Sequence, residues 1–271
     1  MQRALVGSLI AVIATSLVGT WVVLRGLAFL GDALAHGVIP GIALAVLWGF
    51  SPVIGAFLAA IVMSGLVSVV ENRTTVREDT AIGLLFVGML SLGIVIVSRA
   101  QSFSTEVTAL LFGDVLGVTS TDIRTQLIAT CIVAVVSVLL YRPFLALTFN
   151  ANKAQTLGMR PRLAQTMLLA LLALSIVASF QAIGTLLVFG LLVGPPATAT
   201  LLVRRVPMIT LVSIALGSLA VVAGLVVSFH YGTAGGATIA GFSVLQFFVV
   251  LILHEIAAAI RKPAAPLHSP A

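Results

Sequence analysis

The residues best suited to chemistry are Asp32 and His36, a carboxylate and an imidazole four positions apart in an apolar stretch. On a helix this spacing places both side chains on one face, with β-carbons about 5–6 Å apart. Two such groups can share a divalent cation. Pro40 has no N–H, so it cannot bond the carbonyl of His36, which predicts a third polar group at the same level. Two interpretations stay open: a cation or proton pathway, or an Asp–His hydrogen bond that joins helices.

The other candidate functional residues are a further histidine and a pair of prolines, which lie at the end of an apolar run or inside one. His230 ends one run, either at the entry mouth of a path or at the membrane interface without a role. Pro195 and Pro196 interrupt another run and remove the helical donors of two preceding carbonyls. The pattern predicts a broken helix, as in transporters with discontinuous helices, or a passive kink.

The elements that must position these residues are membrane helices. Of 271 residues, 60% are hydrophobic and only 8% are charged, which excludes a soluble domain, a disordered chain and a nucleic-acid module. A helix needs about 20 mostly apolar residues to cross a bilayer. The sequence therefore predicts an all-α, polytopic membrane protein with eight or nine transmembrane helices, at 4–24, 28–48, 53–70, 81–98, 125–141, 164–182, 184–203, 208–229 and 238–260. The stretch 164–203 holds either two helices or one span and a broken helix.

The basic residues predict the topology. The longest basic loop, 142–163, is assigned to the cytoplasm. With nine spans, all of the 14 basic residues except Arg3, Arg99 and Arg124 then lie on the cytoplasmic side. The N-terminus is predicted outside and the C-terminus in the cytoplasm. Residues 1–262 form one transmembrane domain, and 263–271 are expected to be a disordered tail.

The cytoplasmic loop contains a segment that is suited to binding a partner. Residues 150–158 predict a short helix, with Asn150 as N-cap and Gly158 just past the end. Ala151, Ala154 and Leu157 form a small apolar stripe on it. The alternative is a plain surface turn.

Several enzyme classes lack their motifs. The chain has no GxxxxGK[ST] phosphate loop and no GxSxG nucleophile motif. The zinc-protease pattern starting at His254-Glu255 fails because position 258 is Ala258. Any pumping must therefore use a partner ATPase or an ion gradient.

The sequence resembles a known family, the membrane permease subunits of ABC importers for zinc, manganese or iron. The most specific match is LRGLAFLGDALAHGVIPG over residues 24–41, and the resemblance extends over about 1–260. Further matches are EDTAIG at 78–83, LLFG at 110–113, LG at 157–158, GTLLV at 184–188, PATA at 196–199, Tyr231 and GGAT at 235–238.

The resemblance implies a permease, not an enzyme, in a bacterial cell membrane. Asp32 and His36 would line the metal path, and His230 would be a possible outer contact. The segment that docks on the ATPase would include Asn150, Lys153, Ala154, Leu157 and Gly158. The implied partners are a cytoplasmic ABC ATPase, an extracytoplasmic metal-binding protein and a second permease copy, with no permanently bound cofactor and a transported divalent metal. Alternatives are a proton- or ion-coupled secondary metal transporter, an intramembrane enzyme, and a cobalamin or siderophore permease.

Overall fold

The fold is a bundle of membrane helices. A computed structural model describes residues 2–73, 78–98, 118–149 and 161–261, and the regular structure in these residues is helical throughout. In chain order the helices are α1 (Gln2–Leu24), α2 (Ala28–Gly37), α3 (Ile39–Trp48), α4 (Pro52–Arg73), α5 (Glu78–Ser98), α6 (Ser120–Leu139), α7 (Tyr141–Phe149), α8 (Pro161–Ile183), α9 (Thr185–Leu202), α10 (Val206–Tyr231) and α11 (Gly235–Arg261).

The predicted all-α membrane architecture is confirmed. In the described part of the chain, seven segments are long and apolar enough to cross a membrane, and α2 and α3 together make one of them. Shorter apolar segments lie within α8 and α9, at Leu163–Ser179 and Leu187–Leu202. Residues 164–203, for which two helices or one span and a broken helix were the alternatives, form the two helices α8 and α9. They are separated by Gly184, whose φ of 79° is a conformation that favours glycine.

Of the two alternatives predicted at Pro195 and Pro196, the broken helix is wrong, and the passive kink stays a prediction. Helix α9 is continuous from Thr185 to Leu202, with both prolines inside it. A proline deprives only the carbonyl four residues before it, and transmembrane helices tolerate this where neighbouring helices accommodate the freed group. One of the two freed carbonyls belongs to Leu192, which lies directly against Gly19 of α1.

The interruption expected near Pro40 lies at Val38. Helix α2 ends at Gly37 and α3 starts at Ile39, so Pro40 occupies the first turn of a new helix, where a missing N–H costs least. The carbonyl of His36 is not bare, because it accepts a hydrogen bond from the N–H of Val38.

Helix α1 lies at the centre of the bundle and packs against α6, α8, α9 and α10. On one side of it, α9, α10 and α11 form a group in which a β-carbon at Gly190 would lie 3.0 Å from that of Ala240. On the other side, α3 and α4 pack backbone to backbone at Gly41 and Gly55, where no β-carbon fits on either residue. Small residues allow this close approach of membrane helices.

Helix α7 was not predicted, since its residues fall in the expected loop 142–163. It is fixed by Trp21 of α1, whose ring contacts Tyr141 and Phe144 edge to face at 5.5 and 5.6 Å. The predicted short helix at 150–158 and the tail 263–271 lie outside the described residues.

Candidate functional site

Asp32 and His36 lie on one face of α2, in the first half of the apolar span Ala28–Trp48. The Nδ1 atom of His36 is 3.1 Å from the carbonyl oxygen of Asp32 and 3.3 Å from its carboxylate Oδ1. The side chains are partly exposed, 25% for His36 and 27% for Asp32. An ionisable pair at this depth is costly in a bilayer, so it is expected to face a partner or a hydrated path.

The partners of Nδ1 indicate which ring nitrogen carries the proton. A carbonyl oxygen and a carboxylate oxygen can only accept, so Nδ1–H of His36 donates to Asp32. In the neutral ring, Nε2 then holds the lone pair that a metal ion requires. A hydrogen bond from the other ring nitrogen to a carboxylate or a carbonyl is the usual way to orient a metal-binding histidine.

This arrangement differs in detail from one ion held between the two side chains. The lone pair of Nε2 points away from the N–H of Nδ1, so an ion at Nε2 of His36 lies away from Oδ1 of Asp32. Asp32 can then orient the ring from its Nδ1 side. The chemistry that the pair offers is an open imidazole ligand with a carboxylate support.

Aromatic and small side chains surround the pair. The ring of Phe86, on α5, contacts the His36 ring at 5.9 Å with an interplanar angle of 85°, and it also contacts Phe29 of α2 at 5.9 Å. Gly31 precedes Asp32 and lies against the side chain of Leu192 on α9. Gly37 follows His36 and lies against the sulfur of Met63 on α4. Three other helices therefore fix the position of α2.

The described residues do not bring further ligands to this pair. Within them, no three His, Cys, Asp or Glu side chains are grouped so that they could hold a metal ion. His230 lies exposed near the end of α10, where its Nδ1–H donates to the carbonyl of Val226 at 2.8 Å. Helix α10 packs against α1, α9 and α11, and its contact with α2 is at most slight in this part of the chain. A role for His230 stays a prediction, and the predicted coupling residues at 150–158 lie outside the described residues.

Two features of the structure were missed in the sequence. The aromatic contact of Phe86 depends on how α5 packs, which no local pattern gives, although Phe29 and His36 are seven residues apart and hence on one face of α2. The start of α6 had a local signal. Thr119 and Asp122 form a capping box at residue 120, earlier than the span predicted from residue 125.

Comparisons with known proteins agree with this architecture. A family model described as "ABC 3 transport family" matches residues 1–254. The manganese transport system membrane protein MntC of Halalkalibacterium halodurans is 35% identical over 88% of this chain and 82% of its own length. The chelated iron transport system membrane protein YfeD of Yersinia pestis is 33% identical over 98% of this chain and 90% of its own. The solved structure of PsaBC from Streptococcus pneumoniae in complex with Fab matches with a TM-score of 0.85 and 27% identity, over 96% of this chain and 95% of that one.

Proposed function

The chain belongs to the ABC 3 transport family, and we propose that it is the membrane-spanning permease of an importer for a divalent first-row metal. The observation that carries the proposal is the pair formed by Asp32 and His36. It presents an oriented imidazole inside a membrane span, two residues before the helix interruption at Val38. Ionisable residues at such a depth are functional by default.

Manganese and iron are the first candidates for the cargo. Relatives at 35% and 33% identity carry these metals in their names. An imidazole that is supported by a carboxylate can bind Mn²⁺, Fe²⁺ and Zn²⁺, so the same pair serves each of them. A transport path must release the metal that it binds. Because each chain offers only a few ligands, the site favours transit of the metal over its storage.

Energy comes from a separate subunit in this proposal. The chain has no phosphate-binding loop, so ATP hydrolysis belongs to a cytoplasmic ABC ATPase. That subunit docks on residues 150–158, which directly follow α7. The contact of Trp21 with Tyr141 and Phe144 joins α7 to the central helix α1 and supports a mechanical role for this end of the bundle.

The complete importer contains a second copy of this chain and an extracytoplasmic metal-binding protein. It lies in the bacterial cell membrane, with the N-terminus outside and the C-terminus in the cytoplasm, as the distribution of basic residues indicates. The permease itself holds no resident cofactor, because the metal is cargo.

The test is transport by the reconstituted importer. The chain, its ATPase and its binding protein are placed in proteoliposomes, and uptake of radioactive Mn²⁺ is measured with ATP, with a non-hydrolysable analogue, and with an ion gradient alone. We expect uptake only with ATP. Uptake driven by a proton or sodium gradient without the ATPase would contradict the proposal and favour a secondary metal transporter.

A further inference from the structure

The imidazole of His36 is held at two points by two different helices. Asp32, on the same helix, holds Nδ1 at 3.1 and 3.3 Å. Phe86, on α5, packs edge to face against the ring, with centroids 5.9 Å apart. The first contact selects the tautomer, whereas the second limits the tilt of the ring. A histidine ring rotates in a broad well about its terminal torsion, so a packing contact adds to the hydrogen bonds in holding its plane.

Helix α5 is shaped to bring Phe86 to this place. Gly83, Phe86 and Gly93 follow one another along one face of α5, at spacings of three and seven residues. A β-carbon at Gly83 would lie 3.8 Å from Phe29, and one at Gly93 would lie 3.0 Å from Ile39. Helix α5 thus lies across the junction of α2 and α3, with Gly83 and Gly93 before and after the large ring of Phe86.

From these contacts we propose that Phe86 is a positioning residue for the metal path, acting through His36 to fix the direction of its Nε2 lone pair. The inference rests on the proposed function, since it assumes that His36 is a metal ligand. Phe86 itself does not touch the ion. Its effect is to hold a nitrogen ligand in place in advance, which lowers the cost of each binding event.

A positioned imidazole has a consequence for the choice of metal. Nitrogen ligands suit Zn²⁺ and Fe²⁺, whereas carboxylate, carbonyl and water oxygens suit Mn²⁺. When the ring is free to tilt, the path loses a well-placed nitrogen ligand. Loss of the Phe86 ring is therefore expected to reduce Zn²⁺ uptake more than Mn²⁺ uptake, while a general packing defect reduces both in proportion.

The experiment uses the complete importer in proteoliposomes and compares Phe86→Leu, Phe86→Tyr and Val87→Ala. Leu keeps an apolar side chain without the ring, Tyr restores the ring, and Val87 is an exposed neighbour on α5. We expect Phe86→Leu to lower the initial rate of Zn²⁺ uptake about three- to tenfold, the range of an edge-to-face contact. Mn²⁺ uptake should fall less, and Phe86→Tyr and Val87→Ala should match the wild type.

A second variant separates this inference from the proposed function. His36→Ala removes the ring that Phe86 positions, and the proposed function predicts that this variant loses uptake of both metals. The inference is overturned if Phe86→Leu leaves uptake of both metals unchanged, or lowers both equally without rescue by Tyr, while His36→Ala abolishes uptake. If His36→Ala itself transports normally, the proposed function of the pair fails first.

Discussion

The carbonyl oxygen of Leu192 lies so close to Gly19 that no β-carbon can be placed on the glycine without overlapping it. This carbonyl has lost its helical donor, because the residue four positions later is Pro196. The contact lets α9 stay continuous through two prolines while α1 covers the exposed backbone. The Leu192 side chain points to a third helix and lies against Gly31, next to Asp32. One residue thus links the central helix to the helix that carries the candidate site.

Substitution of Gly19 by Ala is expected to disrupt this junction. A β-carbon there would meet the backbone of Leu192 and lie 3.1 Å from Cγ of Pro196, and backbone cannot move aside cheaply. Overpacking of this kind costs about 1–3 kcal/mol. We expect a lower thermal midpoint in detergent and reduced metal uptake. The matched control is Gly88→Ala on α5, where no described atom lies within 4 Å of the added carbon. Equal stability of the two variants would contradict this role of Gly19.

The close packing of α3 on α4 gives a second prediction. Gly41 and Gly55 each face the carbonyl of the other, so Gly55→Ala forces α4 away from α3. Thermal unfolding should shift to lower temperature by the equivalent of about 1–3 kcal/mol. Gly65→Ala, on the same helix with open space at its β-position, should be neutral or slightly stabilising, because alanine favours a helix. If Gly65→Ala proves to be the more damaging change, the described packing is wrong.

Trp21 provides the third prediction, which concerns coupling to the ATPase. Trp21→Leu removes two edge-to-face contacts with α7, worth about 1–3 kcal/mol together. We expect fewer metal ions to be transported per ATP hydrolysed, because α7 leads into the segment that we propose for docking. Uptake and phosphate release are measured on the same proteoliposomes. Trp48→Leu is the control, since Trp48 is 73% exposed. An unchanged number of metal ions transported per ATP in Trp21→Leu would mean that α7 has no part in coupling.

The fourth prediction concerns Asp32→Asn, which removes the negative charge of the side chain but keeps its shape. The amide oxygen can still accept from Nδ1 of His36, so the ring keeps its direction, but the negative charge behind it is lost. Loss of such an outer-shell carboxylate lowers metal affinity or activity about 10- to 100-fold. Uptake rates over a range of metal concentrations should show a decrease of this size. Wild-type uptake in Asp32→Asn would mean that the carboxylate charge has no part in transport.

The positions of the membrane helices could be predicted from the sequence because each span needs a long apolar run, and such runs are local. The pairing of Asp32 with His36 followed from helical spacing alone. Helix α7 could not be found in this way, because its stability comes from packing on Trp21, which is distant in sequence. The continuity of α9 was missed for the same reason, since the backbone freed by its prolines is covered by another helix.

The position of the interruption near His36 shows a further limit. A proline in a run predicts an irregularity, but it fits without cost in the first turn of a helix, so the break precedes it at Val38. The contact between Phe86 and His36 joins two helices through tertiary packing. A single sequence contains no pattern that specifies such a contact.

The most direct test of the central claim is metal uptake by the double variant Asp32→Ala, His36→Ala in the reconstituted importer. His254→Ala is the control, since that histidine is exposed near the end of α11 and has no proposed role. We expect the double variant to assemble with the ATPase and hydrolyse ATP but to transport no metal, while His254→Ala retains uptake. Undiminished uptake by the double variant would contradict the proposed metal path through Asp32 and His36.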